Sequence, residues 1–280
     1  MTQVHHEDAV SDWYDAHPIN EQQILEKLAQ DGIDTSRLSE DILQNYDQDH
    51  YGGVEANDEL ARLAELDESC HVLDVCSGMG GTARYLGHNY GCRVTGIDLT
   101  ESRVAGATRL TEMAGLGDRV EFRCVNALDN PYPDQSFDVV ISQEAFAHIP
   151  NKSLLMGECV RVLKEGGRMT FTDILERERM TSEARERLQR EMALVELGTL
   201  AGHRQLLERE ECEVLEAEDL SEAWTEILVD RLAMYRSLKK QTVERFGAAH
   251  FKKWDSAYDY FVGLYKTGEL GGGRFLARRG

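Results

Sequence analysis

Long apolar runs and a basic leader segment are both missing from this chain. No stretch approaches the ~20 consecutive apolar residues that a membrane-spanning helix needs. The N-terminus, MTQVHHEDAVSDWYD, is acidic where a signal peptide would be basic and then apolar. We therefore expect a soluble, cytoplasmic protein that does not engage a membrane.

Basic residues are scarce. The chain has 31 Lys and Arg against 51 Asp and Glu, which gives a formal net charge of −20. A field of that sign repels phosphate backbones, so the composition disfavours nucleic acid as a partner. The charges are densest over residues 176–226, where Glu and Arg alternate as they do on solvated helix faces.

Proline is rare as well, with four in 280 residues, and no Ser/Gly-rich linker interrupts the chain. We therefore expect no flexible hinge, and one domain over residues 1–280. Within it we expect a helical cap over residues 1–66, a ligand-binding core over 67–175, a helical insertion over 176–211, and strands and helices over 212–280 that complete the fold.

Paired cysteines are absent. The six cysteines lie far apart, with no C-x-x-C pair and no His-rich segment that could complete a zinc site. This pattern predicts reduced, mostly buried thiols that behave as small apolar side chains, and no metal site.

From residue 70 onward, short β-branched runs alternate with amphipathic helical stretches, a rhythm typical of parallel strands joined by crossover helices. The alternation stops after the fifth strand, where a polar helix over residues 182–200 indicates an insertion. Two long helices are expected over 221–246 and 250–265. Two or three helices within residues 8–66, separated by the loop NYDQDHYGGVEAND, are expected to cover the ligand edge of the sheet. The expected strands are HVLDVC, CRVTGIDL, RVEFRCVNA, SFDVVISQEA, GRMTFTDIL, CEVLEAEDL and GRFLARR.

A glycine-rich turn gives the strongest local signal. In VLDVCSGMGGTARYL a hydrophobic strand ends at Asp74 and breaks at Gly78, Gly80 and Gly81 before a helix. Glycine lets a ligand approach the backbone, and the helix start offers N–H donors. The turn indicates a ligand site, although any strand-to-helix turn can use glycine.

Asp98 ends the next strand, in VTGIDLT, 24 residues after Asp74. An acid at this strand end lies beside the ribose in doubly wound nucleotide-binding sheets, where it accepts hydrogen bonds from both hydroxyls. The alternative is a helix cap ahead of Thr100 and Ser102. A dinucleotide oxidoreductase has both features, so the following strands are needed to identify the class of ligand.

Those strands favour a methyl donor. The series LDVCSGMGG, GIDLT, NALDNPYPDQSFDVV, SQEAFAHIP and RVLKEGGRMTFTD resembles, in order and spacing, the class I S-adenosylmethionine-dependent methyltransferases of small molecules. The resemblance covers roughly residues 70–175. It implies an α/β fold with a Rossmann-like, seven-stranded sheet, an N-terminal helical cap and inserted helices after the fifth strand. Two positions depart from the family pattern, with Cys76 at its first glycine and Asn126 at its adenine-contacting acid.

S-adenosylmethionine is therefore the expected cofactor, and S-adenosylhomocysteine its product. An Asn side chain can still accept from the adenine amino group through its oxygen, so we expect binding to be retained. The expected donor contacts are Asp74, Ser77, Gly78 and Gly80 for the methionine part, Asp98 and Leu99 for the ribose, Asn126 and Ala127 for the adenine, and Gln143 below the transferring group.

Three further segments narrow the resemblance. YDQDHYGGVEANDELA, SQEAFAHIP and TGELGGGRFLARR look most like sarcosine/dimethylglycine methyltransferases. This implies N-methylation of a small amine in glycine betaine synthesis. O- or C-methylation of a natural product, quinone or sterol-like acceptor is the alternative enzyme reading. A protein that binds S-adenosylmethionine without catalysis is the other alternative, motivated by Cys76 and Asn126.

An amine acceptor must lose its proton before attack, which calls for a base or for selection of the neutral form. His148 lies just beyond the fourth strand, and Glu144, four residues earlier, is expected to orient it or to contact the positive amine. The alternative for His148 is a surface side chain or a helix-end cap.

Residues for the acceptor are expected in the N-terminal loop and in the insertion. Tyr46, His50 and Tyr51 are candidates for a lid whose aromatic rings face a cation. A carboxylate substrate would require an arginine, and the sequence leaves Arg204, with its neighbour His203, and Arg231 as equal candidates. It also leaves open whether the chain is a monomer or a homodimer.

Overall fold

A seven-stranded mixed sheet forms the centre of the computed structural model, which describes residues 3–15, 17 and 19–280. The strand order is β3-β2-β1-β4-β5-β7-β6, with β7 antiparallel to both of its neighbours. The predicted α/β class and all seven predicted strands are confirmed. The strands are β1 (His71–Val75), β2 (Arg93–Asp98), β3 (Val120–Cys124), β4 (Phe137–Gln143), β5 (Leu163–Glu176), β6 (Cys212–Asp219) and β7 (Leu270–Arg279).

The central strands are apolar because helices cover both of their faces. Val72 of β1 pairs with Val94 of β2 and Val139 of β4, and all three side chains are buried. One face packs against α4 (Gly53–Ala64) and α5 (Gly81–Asn89). The other packs against α7 (Lys152–Val162) and α9 (Leu200–Arg209), while α6 (Glu101–Met113) follows β2. This arrangement leaves the carboxyl edge of the parallel strands for a ligand.

The N-terminal cap holds more helices than the two or three expected. It contains α1 (Gln3–Asp15), α2 (Glu21–Gln30), a 3₁₀ turn (Thr35–Arg37), α3 (Glu40–Leu43) and α4. The expected loop is also shorter, because α4 begins at Gly53 inside it. Gly52, with φ of 94°, supplies the left-handed residue that turns the chain into that helix.

A buried ionic cluster fastens the cap to the sheet layer. Arg84 of α5 donates to Asp47 at 2.5 Å and lies 3.4 Å from Glu40, and the three side chains are fully buried. Burial raises the pKa of Glu40 to about 8, although the Arg84 charge opposes that rise. The loop after α3 is thus tied to the helix that follows the glycine turn.

The insertion and the C-terminal helices are more broken than predicted. The polar helix expected over residues 182–200 is α8 (Ser182–Met192), which ends at Ala193 with φ of 55°. The helix expected over residues 221–246 divides at Leu238 into α10 (Ser221–Ser237) and α11 (Lys239–Phe246), followed by α12 (Ala248–Thr267). Among the described residues, no helix has the length and apolar character to cross a membrane.

Candidate active site

Two adjoining cavities lie at the carboxyl edge of β1, β2 and β4. The smaller has a volume of about 90 Å³ and the larger about 490 Å³. The larger falls in the range of small-molecule sites, and the edge position is where doubly wound sheets bind ligands. Residues that line both cavities are Tyr14, Cys76, Gly78, Ala145 and His148.

Asp98 stands at the wall of the smaller cavity together with Leu99. Its two carboxylate oxygens accept hydrogen bonds from the backbone N–H groups of Gly78 and Thr100, each at 2.9 Å. Removal from bulk water raises the pKa of Asp98, and those N–H groups oppose the rise. Each carboxylate oxygen has a second lone pair. The side chain therefore shapes the turn and can still accept from a ligand hydroxyl.

Asp74 is the buried acid of the larger cavity, with 4% of its surface exposed. Burial raises its pKa to about 7, and the nearby Asp98 charge adds to the rise. Within the described part of the chain, no donor reaches its Oδ2 atom. A buried, unpartnered carboxylate oxygen is costly, so this position favours a ligand that carries a cation or an N–H group.

The three glycines of the turn have different roles. Gly78, with φ of 54°, faces the cavities, and no atom lies within 4 Å of where a Cβ would stand. Gly80, an expected donor contact, lines neither cavity; a Cβ there would overlap the Phe122 ring, so packing accounts for a glycine at this position. Gly81 was not predicted as a site residue, yet it lines the larger cavity.

Asn126 and Ala127, the expected adenine contacts, both line the smaller cavity. The Asn126 side-chain oxygen already accepts from the backbone N–H of Leu128 at 2.9 Å, which leaves one lone pair for a ligand. Its amide nitrogen donates to Glu7 of α1 at 2.8 Å. Glu7 is therefore a wall residue that the sequence pattern did not indicate.

Gln143 ends β4 and joins two parts of the larger cavity. Its carbonyl oxygen accepts from the Thr82 hydroxyl at 2.5 Å, and its amide nitrogen donates to His50 Nδ1 at 3.1 Å. The other nitrogen of His50 lies 2.9 Å from the Gln48 carbonyl oxygen. Burial lowers the pKa of His50 to about 4, so this ring is neutral and its Nε2 carries the hydrogen. Ser77 lines the same cavity from the glycine turn.

Glu144 also lines the larger cavity, in a left-handed conformation with φ of 49°. Its carboxyl oxygens accept from the Tyr51 backbone N–H at 2.8 Å and the Thr172 hydroxyl at 2.6 Å. The expected pairing of Glu144 with His148 is therefore corrected. A four-residue spacing brings side chains together on a helix, but here it joins a strand end to a 3₁₀ turn. Burial raises the pKa of Glu144 to about 7.

His148 lies in the 3₁₀ turn Phe146–His148 with 8% of its surface exposed, which excludes the alternative of a surface side chain. Its Nδ1 is 3.2 Å from the Ala193 carbonyl oxygen. In the neutral ring that contact assigns the hydrogen to Nδ1. The Tyr14 and Trp13 rings lie 5.4 and 5.7 Å from the imidazole.

Sequence reasoning missed the aromatic side chains of α1. Trp13 and Tyr14 line the larger cavity, and the Trp13 ring lies 5.5 Å from Trp254 of α12. Burial raises the pKa of Tyr14. Two adjacent aromatic residues in an otherwise polar helix were the signal available in the sequence, because such rings rarely face water.

Arg231 of α10 supplies a cation to the larger cavity. It donates to the carbonyl oxygens of Asp49 at 2.8 Å and His50 at 2.6 Å, and its guanidinium lies 5.2 Å from the Tyr51 ring centre. Tyr51 packs edge-on against Trp224, at 4.9 Å. The structure thus places Arg231 at the larger cavity and Arg204 outside it, a distinction that the sequence could not make.

Three predicted substrate contacts lie outside both cavities and are corrected. The Tyr46 hydroxyl donates to Asp31 at the surface. His203 is fully buried in the core, and Arg204 is exposed on α9, where it pairs with Glu208 one helical turn away. Sequence proximity to a loop or insertion gave no information about which way these side chains point.

Comparison with known proteins agrees with the geometry. Residues 73–171 match the family described as a methyltransferase domain. The chain is 30% identical to the 27-O-demethylrifamycin SV methyltransferase of Amycolatopsis mediterranei, over 70% of this chain and 73% of that protein. It is 38% identical to a sarcosine/dimethylglycine N-methyltransferase of Halorhodospira halochloris, over 43% of this chain and 42% of that protein.

A solved structure from Galdieria sulphuraria, described as a sarcosine dimethylglycine methyltransferase, superposes with a TM-score of 0.74. It is 23% identical and the match covers 81% of this chain and 86% of that one. The fold is thus that of the class I methyltransferases. The chain belongs to the S-adenosylmethionine-dependent methyltransferase family, and the resemblance inferred from its motifs is confirmed. Its matches to the curated sarcosine/dimethylglycine enzymes span less than half of those proteins' lengths.

The cofactor of this family is S-adenosylmethionine, and the cavity residues fit it. The Asp74 Oδ2 atom, which no donor among the described residues reaches, suits the cationic amino group of the methionine part. The side-chain-free face of Gly78 leaves room for the ligand beside the backbone. Asp98 lies where the hydroxyls of a ribose can donate to it.

Proposed function

We propose that this chain transfers a methyl group from S-adenosylmethionine to the nitrogen of a small amine that also bears a carboxylate, such as sarcosine or dimethylglycine, as in glycine betaine synthesis. The observation that carries the proposal is Arg231, a guanidinium on the part of the larger cavity's wall where α10 and α12 otherwise contribute aromatic and aliphatic side chains. Arginine recognises carboxylates by paired, charge-assisted hydrogen bonds. The similarity to sarcosine/dimethylglycine N-methyltransferases supports the same acceptor.

The donor occupies the sheet edge in this proposal. Its sulfonium supplies an already activated methyl group, so the protein has to align donor and acceptor and needs no covalent nucleophile. Gly80 shapes the turn without contact. The proposed donor contacts are Asp74, Ser77 and Gly78 for the methionine part, Asp98 and Leu99 for the ribose, Asn126 and Ala127 for the adenine, and Gln143 beneath the methyl group.

The acceptor occupies the side lined by α1, α10 and α12. Its carboxylate pairs with Arg231, and the rings of Tyr51, Trp13 and Trp254 provide faces for the methylated nitrogen as it becomes cationic. Glu144, held by Tyr51 and Thr172, adds a nearby acid to the same wall. Such surroundings stabilise the charge that forms on nitrogen during transfer.

The acceptor nitrogen must present its lone pair, and we assign His148 as the group that removes its proton. The ring lines both cavities, so it lies where donor and acceptor meet. Its contact with the Ala193 carbonyl, 3.2 Å from Nδ1, fixes the orientation of the ring at that place. The Tyr14 ring, 5.4 Å from the imidazole, lines both cavities at the same place.

One observation favours a second acceptor class. Aliphatic side chains from three separate segments, among them Ile174, Leu194 and Met234, also line the larger cavity. A bulkier apolar acceptor that is methylated on oxygen would use this surface, and the relative from Amycolatopsis mediterranei carries the name of a natural-product methyltransferase.

Methyl transfer from labelled S-adenosylmethionine to a panel of glycine, sarcosine, dimethylglycine and apolar phenols tests the proposal. We expect turnover of the amino acids, and a KM for them at least tenfold higher in Arg231→Met, because a charge-assisted pair contributes about 1.5–3 kcal/mol. Arg204→Met, outside the cavity, is the matched control and should leave KM unchanged.

Turnover of the phenols alone would move the function to the apolar acceptor class. Binding of S-adenosylhomocysteine without turnover of any panel member would instead support a non-catalytic protein. Equal KM values for wild type and Arg231→Met would remove the carboxylate assignment.

A further inference from the structure

A histidine–aspartate pair lies deep in the core, away from both cavities. His203 of α9 donates from Nε2 to Asp173 Oδ2 at 2.8 Å, and both side chains are fully buried. The imidazole stands edge-on to Phe171 and Phe275, at 5.6 and 5.2 Å. Polar pairs in such surroundings are often no more stable than apolar ones of the same size, so the pair invites a role other than stability.

The second oxygen of Asp173 points to such a role. It accepts a hydrogen bond from the backbone N–H of Ala147 at 3.1 Å, inside the turn Phe146–His148. The Lys152 ammonium closes the other side of that turn by donating to the carbonyl oxygens of Phe146 and Ile149, both at 2.6 Å. The carboxylate of Asp173 thus connects His203 directly to the turn that carries His148.

The inserted segment also forms hydrogen bonds with the turn Phe146–His148. The Ala147 carbonyl accepts from the N–H groups of Val195 and Glu196, at 3.0 and 3.2 Å. The Ala193 carbonyl meets His148 Nδ1 at 3.2 Å. The segment that departs from the regular strand–helix alternation therefore holds the turn that carries His148.

Space for His203 depends on Gly198 in that same segment. A Cβ on Gly198 would overlap the imidazole, and Gly198 forms a bridge with Leu175 at the end of β5. The Gly198 carbonyl accepts from the Glu176 N–H at 2.9 Å. The inserted segment, the end of β5 and the His203 imidazole are thus packed together behind the turn that carries His148.

We propose that His203 and Asp173 are positioning residues that hold the turn of His148 in the geometry required for proton removal, with the inserted segment as their support. The inference rests on the proposed role of His148 as the base. It gives His203, which touches neither donor nor acceptor, an effect on the chemical step.

The kinetic test uses His203→Phe, which keeps an aromatic side chain in the aromatic core but cannot donate to Asp173. We expect kcat to fall at least tenfold, with the Kd for S-adenosylhomocysteine within twofold of wild type. His203→Gln retains an N–H donor and should recover at least a third of the wild-type kcat. Arg204→Ala, the next residue on the same helix, should leave kcat unchanged.

A double-mutant cycle separates positioning from a general loss of structure. If His203 acts through His148, His203→Phe should reduce kcat no further in a His148→Ala background. Multiplicative losses in the two variants would overturn the inference. Full kcat in His203→Phe would overturn it too, whereas full kcat in His148→Ala would overturn the proposed base.

A second readout needs no acceptor. NMR of protein labelled at the histidine rings, with the His148 signal assigned from its absence in His148→Ala, should show that signal shifted in His203→Phe and largely restored in His203→Gln. A His148 signal that coincides with wild type in His203→Phe contradicts the positioning role. If His203→Phe does not fold, Asp173→Asn is measured in its place. A His148 signal that coincides with wild type in Asp173→Asn then contradicts the positioning role.

Discussion

The backbone N–H of Tyr51 donates to the Glu144 carboxylate at 2.8 Å, so the loop of the N-terminal cap is joined directly to the carboxyl end of the fourth strand. The acid that receives this bond has its pKa raised to about 7 by burial. The contact between the cap and the end of the fourth strand therefore involves a titratable group.

Stability of the donor-free protein should therefore fall as pH rises. The pKa of Glu144 is about 7 in the folded chain, against an ordinary value of 4.5, so its contribution is fully present below about pH 4.5 and is lost as pH passes through 7. Asp74, whose pKa is also raised to about 7, acts in the same direction. Urea unfolding at pH 5.5 and pH 8 should show the lower free energy of unfolding at pH 8.

Glu144→Gln should remove the part of this pH dependence that is due to Glu144. One pKa unit corresponds to about 1.4 kcal/mol, and cleft water reduces the effect, so we expect the change between the two pH values to shrink by roughly 1–3 kcal/mol. Glu186→Gln, at an exposed position on α8, is the control and should follow wild type. An unchanged pH dependence in Glu144→Gln would contradict the raised pKa.

Replacing Asp98 should weaken donor binding more than it weakens the fold. Asp98→Ala removes the acceptor for the ribose and the two bonds to Gly78 and Thr100. Hydrogen bonds to a charged group contribute about 1.5–3 kcal/mol, so the Kd for S-adenosylhomocysteine should rise roughly 10- to 100-fold by calorimetry. Asp118→Ala, exposed before β3, is the control. A Kd within twofold of wild type would show that the ribose lies elsewhere.

The buried cluster of Arg84, Glu40 and Asp47 should be sensitive to loss of its cation. Arg84→Met leaves two buried carboxyl groups without their partner, which should lower the free energy of unfolding by about 3–5 kcal/mol. Combining Arg84→Met with Glu40→Gln and Asp47→Asn should recover part of that loss, because no unpaired charge then remains. If the single and triple variants unfold at the same urea concentration, charge pairing is not what holds the cap.

The sheet could be predicted from the sequence because its signals are local. Each parallel strand is an apolar run that ends at a turn, and Asp74 and Asp98 mark two of those ends. The breaks at Ala193 and Leu238 could not be predicted in this way. The break at Ala193 is followed by contacts with a distant segment, the bonds from the N–H groups of residues 195–196 to the Ala147 carbonyl.

The cavity residues at the strand ends could be predicted for the same reason, whereas those contributed by the helices could not. The candidate contacts to the methyl donor lie at strand ends, where the sheet determines the direction in which each side chain points. Trp13 and Arg231 come from helices of separate regions, and their convergence depends on how those helices pack. His203 illustrates the difference: its type suggested a substrate contact, but its place on α9 faces the core.

The division of α10 and α11 at Leu238 has a practical consequence for altering the enzyme. Met234, Tyr235 and Leu238 line the cavity just before and at this corner, and Trp254 and Tyr258 line it from α12. All of them come after β5 in the chain, whereas the proposed donor contacts end at Gln143. A library randomised only within residues 231–261 would therefore sample new acceptors while every proposed contact to the methyl donor keeps its wild-type residue.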